Sequence, residues 1–220
     1  MQKPVRVLTF LSGGWHDFQG FAGAIRSLLT PHGFAVDASF DPDSLLRLAE
    51  TDYRVVINYT CFLRPEEETD VTGVRNLAEN HVTALSKWVR NGGGLLAVHA
   101  ATATGESPAE LRHLLGGAFL SHPEPFAFTV YPLPGKHPIT DGIRAFTVYD
   151  EFYLEEYDPS VHLHMVAIDR GTAYPMVWSK SEGQGKVVHV AMGHDEGVWN
   201  HPAYRRLLLQ SVAWLAGCEL

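Results

Sequence analysis

Three short apolar runs separated by two helix-patterned stretches fill the first 60 residues, and this alternation constrains the fold more than any other feature. Val5 to Leu11 is an apolar, β-branched run closed by Ser12-Gly13-Gly14, which reads as a buried strand. Phe18 to Leu29 follows, with Phe18, Phe21, Ala22, Ile25, Leu28 and Leu29 at helical spacing and Gly33 as its stop. Phe34 to Ser39 is the next strand, Ser44 to Ala49 a short helix, and Tyr53 to Tyr59 a third strand. Such a series implies a parallel sheet with right-handed crossovers, an α/β fold.

The rhythm continues and then breaks. Thr72 to Arg90 predicts a long amphipathic helix with Leu77, Leu85, Trp88 and Val89 on one face, ended by Asn91-Gly92-Gly93-Gly94. Leu95 to Val98 is a fourth strand that runs into His99, and Pro108 to Leu115 is a short helix. From about residue 119 to 158, prolines punctuate short strands such as Phe126 to Tyr131. This stretch reads as an insertion of antiparallel pieces folded over the same sheet edge. Val161 to Ile168, Tyr174 to Ser179 and Lys186 to Met192 close the sheet, with a hairpin turn at Glu182-Gly183-Gln184-Gly185. Ala203 to Leu215 is a terminal helix, and residues 1–220 read as a single domain.

Composition narrows the partners. With 17 Lys and Arg against 25 Asp and Glu, the net charge is −8 and no basic run appears, so neither nucleic acid nor an anionic membrane is expected. No apolar stretch approaches the roughly 20 residues that span a bilayer. The first apolar run lacks the length and cleavage site of a secretory signal. Cys61 and Cys218 have no metal-type spacing, and a reduced, cytoplasmic setting is expected. The unusual count is histidine, twelve in 220 residues, which directs attention to a His-lined site.

Ligands of open parallel sheets bind beyond the carboxyl ends of the strands. There the sequence places Gly13-Gly14-Trp15-His16-Asp17, Tyr59-Thr60-Cys61, His99-Ala100-Ala101 and Gly193-His194-Asp195-Glu196. His16, Asp17, His99 and His194 are therefore expected to converge. Plainer readings stand beside this one. Asp17 suits a helix N-cap, His194-Asp195-Glu196 a helix start, and His122-Pro123 and His137-Pro138 ordinary turns. Gly13-Gly14 lacks the rest of a dinucleotide-binding fingerprint. Asp150-Glu151 sits among Tyr149, Phe152 and Tyr153, a setting that raises a buried carboxylate's pKa and suits an acid or a sugar-binding group.

Taken as an ordered set, these segments resemble the ThuA-like (trehalose utilisation) family. The set comprises Gly13-Gly14-Trp15-His16-Asp17, Gly92 to Ala101, Gly117-Ala118-Phe119 with His122-Pro123, His137-Pro138-Ile139-Thr140, Asp150-Glu151-Phe152-Tyr153 and Gly193-His194-Asp195. The resemblance implies a class I glutamine amidotransferase-like fold: a flavodoxin-like three-layer sandwich with a mostly parallel central sheet. Those amidotransferases carry a nucleophilic cysteine at the strand-to-helix elbow, where this chain has His99. Thiolate acyl transfer therefore lacks its nucleophile.

The resemblance also implies a small carbohydrate ligand, trehalose or a related disaccharide or keto-disaccharide. On that view His99, His194 and Glu151 serve as acid/base or ligand groups. Trp15, His16, Asp17, Tyr59, His122 and Asp195 contact the ligand, and Phe126, Tyr153 and Trp199 offer further flat faces. A second reading makes His16, His99 and His194 neutral imidazole ligands of a divalent metal that activates water. A third makes the protein a non-catalytic sugar-binding or regulatory module. A homo-oligomer is compatible with all three.

Overall fold

The computed structural model describes residues 3–62 and 76–219. Its first half follows the alternation of the sequence: β1 (Val5–Gly13), α1 (Phe18–Leu29), β2 (Phe34–Ser39), α2 (Asp43–Leu46), β3 (Tyr53–Cys61), α3 (Glu79–Arg90), β4 (Gly94–Val98) and α4 (Ala109–Leu115). The second half is mostly strand: β5 (Gly117–Ser121), β6 (Phe126–Pro132), β7 (Phe146–Asp150), β8 (Leu154–Tyr157), β9 (His162–Asp169), β10 (Thr172–Glu182) and β11 (Gly185–Val190). Two helices, α5 (Glu196–Trp199) and α6 (Pro202–Ala216), complete it.

The main sheet has nine strands in the order β2-β1-β3-β4-β11-β10-β9-β6-β7. β2 through β11 in that order are parallel, and from β11 onward every pairing is antiparallel. Central strands read as unbroken apolar runs because both faces are covered. On one face Val7, Val55, Leu96 and Val188 meet Phe21 and Ile25 of α1 and Leu207 and Val212 of α6. On the other, Leu8, Phe10, Val56 and Leu95 meet Val82 and Leu85 of α3 and Leu111 and Leu114 of α4. The result is a three-layer α/β sandwich. Among the described residues no helix is long and apolar enough to cross a membrane.

Two sequence expectations need correction. The helix expected over Thr72 to Arg90 starts at Glu79; residues 72–75 lie outside the described residues, and 76–78 are not helical. Leu77 is buried, but from the approach to the helix, where its N–H donates to Ser107 Oγ at 3.1 Å. Its apolarity reports packing, not helical periodicity. The stretch 119–158 also does more than fold over the sheet edge. β6 pairs with β9, and β7 with β6, so both lengthen the main sheet. Phe128, Val130, Phe146 and Val148 alternate inward and join the core. Only β5 and β8 form a separate two-stranded sheet.

His164 on β9 is buried, with Nε2 2.8 Å from Ser179 Oγ on β10. Burial, and then the neighbouring His137 and His162, push its pKa down to about 3. The unfolded chain takes up this proton near the ordinary value of 6.5, so stability present above that pH is lost as pH falls toward the folded pKa. Between pH 6 and 4, the slope of stability against pH in His164→Gln is expected to be shallower than in the native protein by up to about 1.4 kcal/mol per pH unit. Denaturant melts across that range measure it; parallel slopes would show that His164 does not titrate differentially.

Candidate metal centre

Three strand ends and the residue after β7 build the site. At the end of β1, Gly13 has φ 111°, and a Cβ there would sit 1.9 Å from the Cys61 carbonyl oxygen. Only glycine lets β1 run that close to β3, where Gly14 N–H donates to the same oxygen at 3.1 Å. Trp15 follows at φ 70°, a left-handed conformation that costs a bulky side chain roughly 1–3 kcal/mol. This turn presents His16. Its Nδ1 donates to the Gly14 carbonyl at 3.1 Å, and Asp17 then caps α1 by accepting from Gly20 N–H at 2.8 Å.

β4 ends in a second strained turn. His99 sits at φ 50°, at the head of the short 3-10 turn His99–Thr102, and its side chain is fully buried. Ala100 and Ala101, which follow it, are buried as well. His99 Nδ1 donates to the Ala191 carbonyl at 2.7 Å. A carbonyl can only accept, so the contact fixes the tautomer and leaves Nε2 facing the site.

After β11 the chain is anchored from several sides. Asp150, buried at the end of β7, accepts N–H groups from Gly193 at 2.7 Å, His194 at 3.2 Å and Glu151 at 2.9 Å. Burial pushes the Asp150 carboxyl up, against the pull of the His99 charge and these hydrogen bonds. Tyr59 Oη donates to the Gly193 carbonyl at 3.0 Å, and Trp199 Nε1 to the same oxygen at 2.7 Å. His194 and Glu151 are thus held side by side although 43 positions separate them in the chain.

The three imidazoles form a triangle. Ring centroids lie 5.1 Å apart for His16 and His99, 4.9 Å for His16 and His194, and 5.6 Å for His99 and His194. Glu151 Oε2 lies 3.2 Å from His99 Nε2 and 3.3 Å from His194 Nδ1. One ligand atom from each of His16, His99, Glu151 and His194 falls within 4.8 Å of all the others. A tetrahedral ion with bonds of about 2.1 Å needs those separations near 3.4 Å, a modest inward movement of side chains.

The electrostatics favour one cation over several protons. Burial, and then the neighbouring His99, push the His16 pKa down to about 3, so this ring is neutral at physiological pH. Among the described residues its Nε2 is buried with no hydrogen-bond partner. Burial acts to raise Glu151, but the hydrogen bonds and charges of His194 and His99 overcome it and hold the carboxylate well below its usual range. Glu151 in turn raises the His194 pKa. His99 Nε2 and His194 Nδ1 both face the same Glu151 oxygen. A divalent ion satisfies all these groups at once, whereas imidazolium rings about 5 Å apart would repel one another. The carbonyl partners of His16 and His99 are the outer support that metal-ligating histidines require.

The centre opens into a cavity of about 700 Å³, lined by His16, Glu151, His194, His122 and Tyr153 and, toward solvent, by Trp15 and Leu120. Tyr153 stacks on His99 with centroids 4.2 Å apart, and His122 stacks more loosely on Tyr153. His122 Nδ1 donates to the Pro123 carbonyl at 2.9 Å, leaving Nε2 3.7 Å from Glu151 Oε1.

Of the residues expected to contact a ligand, Trp15, His16 and His122 line this cavity, as do Glu151 and His194. Tyr59 is instead buried, holding the backbone beneath His194. Asp17 and Asp195 are caps, the latter accepting from Gly197 N–H at 2.9 Å, and neither lines the cavity. Phe126 stacks on Phe152, and Trp199 is core. Sequence reasoning passed over Thr102, which lines the cavity and donates to Glu155 Oε1 at 2.6 Å. Glu155 pairs behind it with the fully buried His189 at 3.1 Å. A threonine three residues past a strand end carries no signal of its own.

The comparisons agree with this architecture. A ThuA-like protein of Parabacteroides merdae superposes with a TM-score of 0.80 at 18% identity, covering 98% of this chain and 91% of its own. One from Bacteroides uniformis gives 0.73 at 18% identity, with 98% and 93% covered. A β-galactosidase from Rahnella sp. R3 gives 0.69 at 16% identity, and there the match covers 98% of this chain but 32% of the larger enzyme. At these identities the likeness shows the fold alone. No curated protein matches the sequence. The family model described as trehalose utilisation matches residues 6–215, and the chain belongs to the ThuA family.

Proposed function

We propose that this protein is a divalent-metal-dependent enzyme of carbohydrate utilisation, acting on trehalose or a related disaccharide or keto-disaccharide. One observation carries the reading: four ligand atoms of His16, His99, Glu151 and His194 converge beside a cavity, and among the described residues the buried His16 Nε2 has no hydrogen-bond partner. Imidazoles with one carboxylate suit a first-row transition cation better than calcium or magnesium. Such an ion polarises a carbonyl or hydroxyl and acidifies bound water.

The chain's own groups account for the rest. The carbonyl partners of His16 and His99 hold Nδ1 of each ring and leave Nε2 toward the centre. Glu151 brings the negative charge that offsets the cation, with Oε1 left toward His122 and the cavity. Phe119, half-buried beside Tyr153 with centroids 4.5 Å apart, offers an apolar face beside the centre. The family description, trehalose utilisation, supports a sugar as the ligand, and the reading places the protein in the cytoplasm. Relative to the expectation of Glu151 as a separate acid or base, this reading moves it into the ligand set.

Metal analysis of protein purified without chelator tests the proposal, together with turnover of trehalose and of its keto derivative before and after chelation. About one equivalent of metal, with activity lost on chelation and restored by zinc or manganese, is expected. Turnover by metal-free protein would overturn the metal reading. Because His99 occupies the elbow, no ammonia is expected from glutamine; release abolished by Cys61→Ala would show a thiol nucleophile after all.

A further inference from the structure

Trp15 is the least explained residue of the site. The residue is 65% exposed and lines the cavity, and among the described residues nothing stacks on its indole or hydrogen-bonds to it. Its backbone is nevertheless in the left-handed region, where glycine would be at ease. The turn is not a loose tip. Gly14 is tied to Cys61, His16 to Gly14, Phe18 N–H to the His16 carbonyl at 3.1 Å, and Gly20 N–H to Asp17. A pinned turn holds a strained aromatic residue in solvent at the entrance to a polar centre, and strain of this kind concentrates where a ligand is clamped.

The cavity joins polar groups to exposed apolar surface. His16, Glu151 and His194 form the inner part, while Trp15 and the 53% exposed Leu120 leave apolar surface near solvent. Its volume of about 700 Å³ lies in the upper part of the roughly 300–1,000 Å³ range of small-molecule pockets. One sugar ring engaged at the centre leaves the outer part open. A pyranose presents a face of axial C–H groups, and an indole is the largest flat apolar surface a side chain can set against it.

We propose that Trp15 is a specificity-determining residue that stacks the second ring of a disaccharide whose first ring occupies the inner centre. This rests on the carbohydrate reading of the site but does not require the metal. Such a contact selects two-ring over one-ring ligands, because a monosaccharide at the floor does not reach the indole.

Calorimetric titration of trehalose and of glucose into native protein, Trp15→Ala, Trp15→Phe and Trp15→Gly tests it. Native protein should bind trehalose at least tenfold more tightly than glucose. Trp15→Ala should lose most of that preference while changing glucose affinity less than twofold, and Trp15→Phe should keep part of it. Trp15→Gly should melt no lower than native protein despite losing the preference, since glycine relieves the backbone. Equal affinities in native protein, no measurable binding of either sugar, or equal weakening of both by Trp15→Ala would overturn the proposal. So would a dimer that Trp15→Ala converts to monomer, which would assign the indole to a second copy of the chain. Metal content of the same preparations separates the two readings: a ring preference without bound metal sinks the metal proposal and keeps this one.

Discussion

Replacing His99 with alanine is expected to leave the metal centre empty at micromolar cation, with affinity reduced by more than roughly 100-fold. Changes to the outer support of metal ligands already cost about 10–100-fold, and His99 would be a direct donor with its ring fully buried and oriented by Ala191. The remaining His16, Glu151 and His194 cannot close around the gap, because each is pinned by its own strand end. Thermal melts with and without added zinc give the readout. A cation that binds only the folded state stabilises native protein by about 2.7 kcal/mol at 100 times its Kd, and this gain should vanish in His99→Ala. Asp17→Ala is the control: it removes only the cap on α1, costs about 1 kcal/mol, and should keep both the metal and the zinc-dependent gain. A full zinc effect in His99→Ala would remove His99 from the ligand set.

Why some of this was legible in the sequence follows from what each residue depends on. β1, β3 and β4 are buried on both faces, so their composition alone marks them, and the rule that ligands bind beyond parallel strand ends then brings His16, His99 and His194 together. Glu151 obeys no such rule. It lies 52 positions from His99, and its approach depends on β6 and β7 joining the far end of the main sheet, which local pattern does not encode. Its aromatic neighbours suggested a carboxylate with a raised pKa; the two histidines reverse the sign. Asp17 and Asp195 lie outside the cavity lining for a different reason. An aspartate after a strand and before a helix has a local partner in the helix's free N–H groups, and at both positions that partner won. Tyr59 looked like a sugar platform at a strand end, yet its hydroxyl is used on the Gly193 carbonyl.

Asp150 is where the stability of the fold and the geometry of the site meet, and Asp150→Ala is expected to be the most destabilising single change near the centre. The carboxylate is buried and accepts three backbone N–H groups, from Glu151, Gly193 and His194. Alanine would leave those donors without their partner, the Gly193 N–H in fully buried surroundings. Each unsatisfied buried group costs about 1–3 kcal/mol, so a total loss of roughly 3–5 kcal/mol is expected, allowing for partial relaxation. Gly193 cannot relax far, because a backbone at φ 132° with Tyr59 and Trp199 both donating to its carbonyl is over-determined. The strain should pass instead to His194 and Glu151, whose backbones lose their shared anchor, and metal affinity should fall about 10–100-fold as for other lost outer supports. Asp150→Asn keeps the shape and one accepting oxygen, so it should lose less stability than alanine while still weakening the metal. Urea unfolding of the metal-free proteins isolates the first effect and zinc titration the second. A loss below about 1 kcal/mol in Asp150→Ala with native zinc affinity would show that Tyr59 and Trp199 alone hold the turn after β11.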